Sequence, residues 1–137
     1  MNILFVSSVS PIAVDPPESR KLYVEALGLA LDGDDPQGYW HSEKVEGVKH
    51  FGVWPLSQAA EACFGSERWP EHLTVPQVSI EFEVTEPEAV EAGAKELEEK
   101  GFEPLHETRT EPWGQTVARV LSADGAIVGL SYAPWMH

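Results

Sequence analysis

Apolar positions change their period along the chain, and each change marks an element. Asn2 to Val14 carries Ile, Leu, Phe and Val with serines interspersed, which predicts a strand. Pro11 lies within it and has no N–H to give a ladder, so the strand is expected at an edge or with a bulge. Asp15-Pro16-Pro17-Glu18 then supplies a capping carboxylate, a fixed φ in the first turn and a glutamate three residues after the cap, a helix start whose free N–H groups find partners. The helix is predicted to run to about Leu27, with Leu22, Tyr23, Ala26 and Leu27 on one face and Gly28 as its stop.

Turn residues from Asp32 to Pro36 precede two predicted strands, Tyr39 to Val45 and Val48 to Leu56, joined at Glu46-Gly47. From Ser57 to Pro76 the pattern breaks into a short apolar segment and a proline-containing loop, which predicts a linker or lid. Gln77 to Val84 alternates strictly, with Val78, Ile80, Phe82 and Val84 against Gln77, Ser79, Glu81 and Glu83. That is the mark of a half-buried strand whose acids face a concave side or solvent. Thr85-Glu86-Pro87-Glu88 reads as a second capping box, opening a helix to Lys100 that stops at Gly101. Strands are predicted at Phe102 to Arg109, Gln115 to Leu121 and Ile127 to Ala133, the last two joined by a hairpin at Ala123-Asp124-Gly125.

The grammar occurs twice, with a period of about 70 residues. Residues 1–56 form a first βαβββ module, 57–76 a linker or lid, and 77–137 a second module within one structural domain. The expected fold class is α+β: a curved eight-stranded mixed sheet with helices packed outside.

Charge and residue usage narrow the chemistry. Nine Lys and Arg against 23 Asp and Glu give a net charge of −14, which repels phosphate backbones and anionic lipid, so neither nucleic acid nor membrane is an expected partner. The single cysteine excludes an intrachain disulfide, and no charged-then-apolar leader or long apolar run is present, so a cytoplasmic location is expected. Cys63 sits in an apolar stretch without a base and reads as an inert thiol. No nucleophile elbow or phosphate-cradling glycine motif occurs.

The aromatic residues point elsewhere. Five tryptophans exceed what a core of this size needs, and flat indoles over an apolar trough suit planar ligands. If Phe51 and Val53 pack under a helix, His50 and Trp54 line a cavity on the other face, with Trp40 on the preceding strand joining them. Phe64 and Trp69 are lid candidates, and Glu81 is placed to meet a cationic or hydrogen-bonding ligand group. Among the five histidines no pair has the i,i+4 spacing of a helical metal site, although His41 and His50 are placed to face one another on neighbouring strands.

Glu111-Pro112-Trp113-Gly114-Gln115, then Ala123-Asp124-Gly125 and the strand Ile127 to Tyr132, resemble the C-terminal signature of the vicinal oxygen chelate superfamily, the fold of glyoxalase I, extradiol dioxygenases and bleomycin-resistance proteins. The resemblance implies a concave sheet in which the family's enzymes hold a divalent metal with His, Gln or Glu from the first and last strands of each module. Carried over by local motif, those positions fall at Ser8, at Gln77, at Gly129 and at Gly52 or Trp54. Only Gln77 carries a donor of the required kind.

The resemblance therefore implies a metal-independent binding protein like the bleomycin-resistance branch, with no catalytic residue, metal or cofactor. It would sequester a hydrophobic, partly planar natural product or antibiotic, with Ser8, Gln77 and Trp113 joining the aromatic and polar residues named above around the ligand. A homodimer is expected, each pocket walled by both chains. The rival expectation is an enzyme of the same fold, a lyase, isomerase or oxygenase with a displaced metal or a metal-free acid-base pair such as His50 with Glu81. A third is a structural or regulatory protein with no small ligand.

Overall fold

The computed structural model describes all 137 residues. Seven strands form one curled mixed sheet: β1 (Phe5–Ala13), β2 (Trp40–Ser42), β3 (His50–Pro55), β4 (Val78–Glu83), β5 (Arg109–Thr110), β6 (Thr116–Leu121) and β7 (Ala126–Tyr132), in the spatial order β2-β3-β1-β4-β7-β6-β5. β1 and β4 lie antiparallel at the centre, β3 runs parallel to β1, and β7 runs parallel to β4.

The sheet has seven strands where eight are expected. Before β2 the chain makes only an isolated bridge between Asp32 and His41, because the turn residues that follow Asp32 leave no extended run to pair. The strand predicted over Phe102 to Arg109 shrinks to Arg109–Thr110. Pro104 has no N–H for a ladder, and Leu105 alone bonds across, to the Arg119 carbonyl. β1 is central, not an edge. It accommodates Pro11 because pairing with β3 passes from Val9–Phe51 to Ile12–Trp54 without engaging residue 11, and a bulge does occur, between Val6 and Ser8.

Three helices complete the fold. α1 (Pro16–Arg20) starts where Asp15 accepts a hydrogen bond from the Glu18 N–H at 3.3 Å, and it continues as a wider π turn over Lys21–Ala26. α3 (Pro87–Glu99) begins with proline in its first turn, but the Thr85 capping box does not form: Glu86 is the cap residue and makes no side-chain cap bond. α2 (Leu56–Phe64) replaces the start of the expected linker. Ala59, Ala60 and Cys63 fall on one stripe at helical spacing and are buried, and Gly65 closes the helix with φ +75°.

Strand alternation assigns the faces. Phe51 and Val53 join Ala13 and Leu31 in a core cluster with Tyr23 and Val24, and Ala118, Leu130 and Val84 pack with Val90 and Ala94 of α3, so α1 and α3 cover the outer face. Ile127, on the opposite face of β7, packs against Ala59 and Cys63. α2 therefore sits across one end of the inner face instead of outside the sheet. At the other end Glu83, 0% exposed, accepts hydrogen bonds from the Ala133 N–H and from His137 Nε2 at 2.9 Å, fastening the C-terminal turn Pro134–Met136.

Candidate ligand cavity

Between α2 and the C-terminal turn the inner face holds a cavity of about 630 Å³. Its floor is one cross-strand row. Ser8 stands opposite His50 on β3 and opposite Glu81 on β4, Glu81 opposite Gly129 on β7, and Gly129 opposite Arg119 on β6. Directly opposed residues share a face, so the row reads His50, Ser8, Glu81, Gly129, Arg119 across five strands. Gly129 leaves a gap that Glu81 occupies: a Cβ there would lie 3.0 Å from the Glu81 Cγ.

The histidine end is a hydrogen-bonded chain. The Tyr39 hydroxyl lies 2.7 Å from His50 Nε2, the Ser10 hydroxyl 3.4 Å from Tyr39, and Ser8 3.5 Å from Ser10. Burial, with a smaller contribution from His41, lowers the His50 pKa to about 4, so its imidazole is neutral and Nε2 accepts from Tyr39. Burial raises the Tyr39 pKa further above neutrality, which keeps that phenol a donor. The His41 and His50 rings stack with centroids 5.0 Å apart, as their strand placement predicts.

The arginine end is denser in charge. Arg109 Nε donates to Glu111 at 2.8 Å, and Gln115 Nε2 donates to Glu81 Oε1 at 3.2 Å and to Ser131 at 2.9 Å. Trp113 Nε1 in turn donates to the Gln115 side-chain oxygen Oε1 at 3.0 Å. Burial raises the Glu81 pKa, with Arg119 and the Gln115 hydrogen bond pulling the other way. Trp54 forms a wall beside Arg119, and Trp113 and Trp135 stand at the mouth, 60% and 47% exposed.

Of the residues expected around a ligand, Ser8, His50, Trp54, Glu81 and Trp113 line this cavity. Trp40, Phe64, Trp69 and Gln77 do not. Trp40 pairs with Val53, which places its ring on the outer face against Arg20, 4.6 Å from the guanidinium carbon. Phe64 and Trp69 pack edge-on against each other, centroids 5.0 Å apart, beside the core under α2. Gln77 is exposed ahead of β4. The segment expected as a lid does reach the cavity, through Gln58, Glu61 and Ala62 of α2. Cys63 is buried in the core, its thiol pushed up to about 11 by burial.

Register also relocates the positions carried over from the family's metal site. The residues facing one another from the first and last strands of the two halves are Ser8, His50, Glu81 and Gly129, so Glu81 stands where Gln77 is expected and His50 where Gly52 or Trp54 is expected. This set does not fit a three- or four-donor metal centre. Gly129 offers no side chain, Ser8 only a hydroxyl, His50 Nε2 is taken by Tyr39, and one Glu81 oxygen is taken by Gln115. No group of three or more His, Cys, Asp or Glu side chains is arranged to hold a metal.

Tyr39, Ser10, Gln115 and both arginines escaped the sequence reading. The available signal for Arg119 was a lone charge inside the apolar run Thr116–Leu121, a position that is costly unless partnered.

No helix is long and apolar enough to cross a membrane. Solved structures with the same fold include a glyoxalase/bleomycin resistance protein/dioxygenase superfamily member from Vibrio splendidus 12B01, 15% identical, with 93% of this chain and 97% of that one covered and a TM-score of 0.58. Another is methylmalonyl-CoA epimerase from Streptomyces coelicolor in complex with 2-nitronate-propionyl-CoA, 14% identical, with 97% and 96% covered and a TM-score of 0.54. A third is described as an NAD-dependent benzaldehyde dehydrogenase from Legionella pneumophila, 13% identical, with 90% and 96% covered and a TM-score of 0.58. No curated protein matches the sequence. The model of one family matches residues 8–130, from the first residue of the cavity row to the strand that carries its glycine, and the chain belongs to that family, the glyoxalase/bleomycin resistance protein/dioxygenase superfamily.

Proposed function

We propose that this protein binds a small, partly planar organic molecule in the inner cavity and holds it without a metal ion, as a sequestering protein for a natural product or antibiotic. The observation that carries this is the pairing of a tryptophan wall with a floor whose family metal positions offer two suitable donors, each with an atom already engaged by a neighbour. A cavity of about 630 Å³ matches a drug-sized ligand. The exposed rings of Trp113 and Trp135 at its mouth favour a homodimer in which a second chain completes the wall. Light scattering at micromolar concentration checks this, and a monomer would remove the dimer from the proposal.

The test is a tryptophan-fluorescence screen against planar aromatic natural products, repeated with Trp54→Ala. Saturable quenching that weakens at least about tenfold in the variant, with the ligand recovered unchanged, supports sequestration. Stoichiometric metal in the purified protein, or chemical conversion of the ligand, overturns it. Glu81 favours one alternative, acid-base catalysis in the same cavity, because burial raises its pKa toward the range useful for proton transfer. On that reading turnover disappears in Glu81→Gln while ligand affinity persists.

A further inference from the structure

Building on the reading of this cavity as a small-molecule site, we propose that its ligand is a planar acid: an aromatic or conjugated carboxylate whose acid group meets Arg119 and whose ring lies against Trp54. Arg119 is 4% exposed, and its partners do not match its charge. Nη1 donates to His106 Nε2 at 3.1 Å, and that nitrogen is an acceptor because His106 Nδ1 donates to the Glu107 carbonyl at 2.8 Å. Burial together with the two nearby arginines lowers the His106 pKa, so this partner is neutral. The Glu111 carboxylate oxygen beside Arg119 is 3.8 Å away, beyond hydrogen-bond range, and the same oxygen is held by Arg109 at 2.8 Å. Arg119 Nε has no partner at all.

A guanidinium kept out of water with one unpaired N–H and only a distant carboxylate is costly by itself, and a carboxylate entering the cavity that Arg119 lines brings a closer opposite charge. The site also selects shape. The Arg119 guanidinium carbon lies 5.7 Å from the centroid of the Trp54 ring, so a plane stacked on that indole brings a coplanar acid group to the arginine. Gly129 separates Arg119 from Glu81 in the row, and the Glu81 side chain lies over it, beside the place the acid group would take at Arg119. Burial raises the Glu81 pKa, which lessens its repulsion of an acid held beside it. The chain's overall charge of −14 argues for the opposite preference, a cation, so the choice is sharply testable.

The test is calorimetric titration of the full chain near neutral pH with three probes that share one ring: 2-naphthoate, 2-naphthylmethanol and 2-naphthylmethylammonium. Naphthoate is expected to bind at least about tenfold more tightly than the alcohol, and the ammonium no better than the alcohol. Rising salt should weaken naphthoate and leave the alcohol unchanged. Arg119→Gln should remove the preference for naphthoate while keeping the alcohol's affinity, and Trp54→Ala should weaken all three. Because Arg119 is buried and its variant can fail to fold, the wild-type probe series decides on its own. Equal affinities, or a preference for the ammonium, overturn the acid proposal and leave the cavity as a binding site. Absence of binding by all three probes at millimolar concentration overturns both.

Discussion

The Tyr39 hydroxyl lies 2.7 Å from His50 Nε2 and donates to the imidazole at the head of the cavity row, which burial keeps neutral. An unfolded imidazole takes up its proton near pH 6.5, whereas folded His50 resists until about pH 4. Between those values the unfolded chain binds more protons, so stability falls as pH drops from 6.5 to 4, by roughly 3 kcal/mol from this one group. NMR titration of the His50 ring should show the low midpoint. Tyr39→Phe should move it upward while burial keeps it under 6.5. A wild-type His50 that titrates near 6.5 would contradict this account.

Gly52 is required by the same contact. A Cβ on Gly52 would fall 2.3 Å from Tyr39 Cε2 and 2.5 Å from its hydroxyl oxygen, so Gly52→Ala expels the Tyr39 ring. Forced repacking of this kind costs about 1–3 kcal/mol. The expected result is a lower urea midpoint together with a His50 pKa shifted toward its ordinary value. Destabilisation without any change at His50 would separate the two residues.

Glu81 has the opposite pH sign. Its folded pKa is raised by burial, so the folded state keeps a proton that the unfolded state releases near 4.5, and stability declines as pH rises from there through the folded value. Glu81→Gln removes that decline and leaves the amide oxygen to accept from Gln115. Thermal midpoints should therefore gain from the substitution at pH 8 and show little difference at pH 4. A gain independent of pH would mean that the carboxylate is ionised in both states.

The C-terminal turn hangs on a buried carboxylate. Glu83 Oε2 accepts from the Ala133 N–H and from His137, and Glu83 Oε1 has no partner. His137→Ala leaves Glu83 with one bond in an environment without water, at an expected cost of about 1–3 kcal/mol. It also frees the turn that carries Trp135 and Met136, so the emission of Trp135 should move toward that of an exposed indole. Unchanged stability would show that water replaces the histidine at no cost.

Alternation within single strands made half of this site legible in the sequence. His50 and Trp54 fall on the face opposite Phe51 and Val53, and Glu81 falls opposite Ile80 and Phe82, as their spacing requires. What alternation cannot supply is register between strands distant in sequence. Carrying the position over by local motif lands on Gln77, four residues short of Glu81, because a motif near a helix start does not fix how β4 pairs with β1, whose nine residues include a bulge. Arg119 was hidden for the same reason, since its relation to Trp54 and Gly129 exists only after β6 and β7 pair. α2 was hidden by a weaker cause: a nine-residue helix between two prolines carries too few turns for its apolar period to stand out.

The central pairing of β1 with β4 has a thermodynamic consequence. The row from His50 to Arg119 crosses that seam, so neither half of the chain owns a binding site, and a ligand that spans the row recognises only the closed molecule. Its binding free energy adds to the folding of the whole chain instead of to one loop or helix. Saturating ligand should raise a single unfolding transition and slow amide exchange across both halves together. A substitution that loosens the seam from the outer face, such as Val9→Ala or Ile80→Ala, should weaken affinity without touching the ligand.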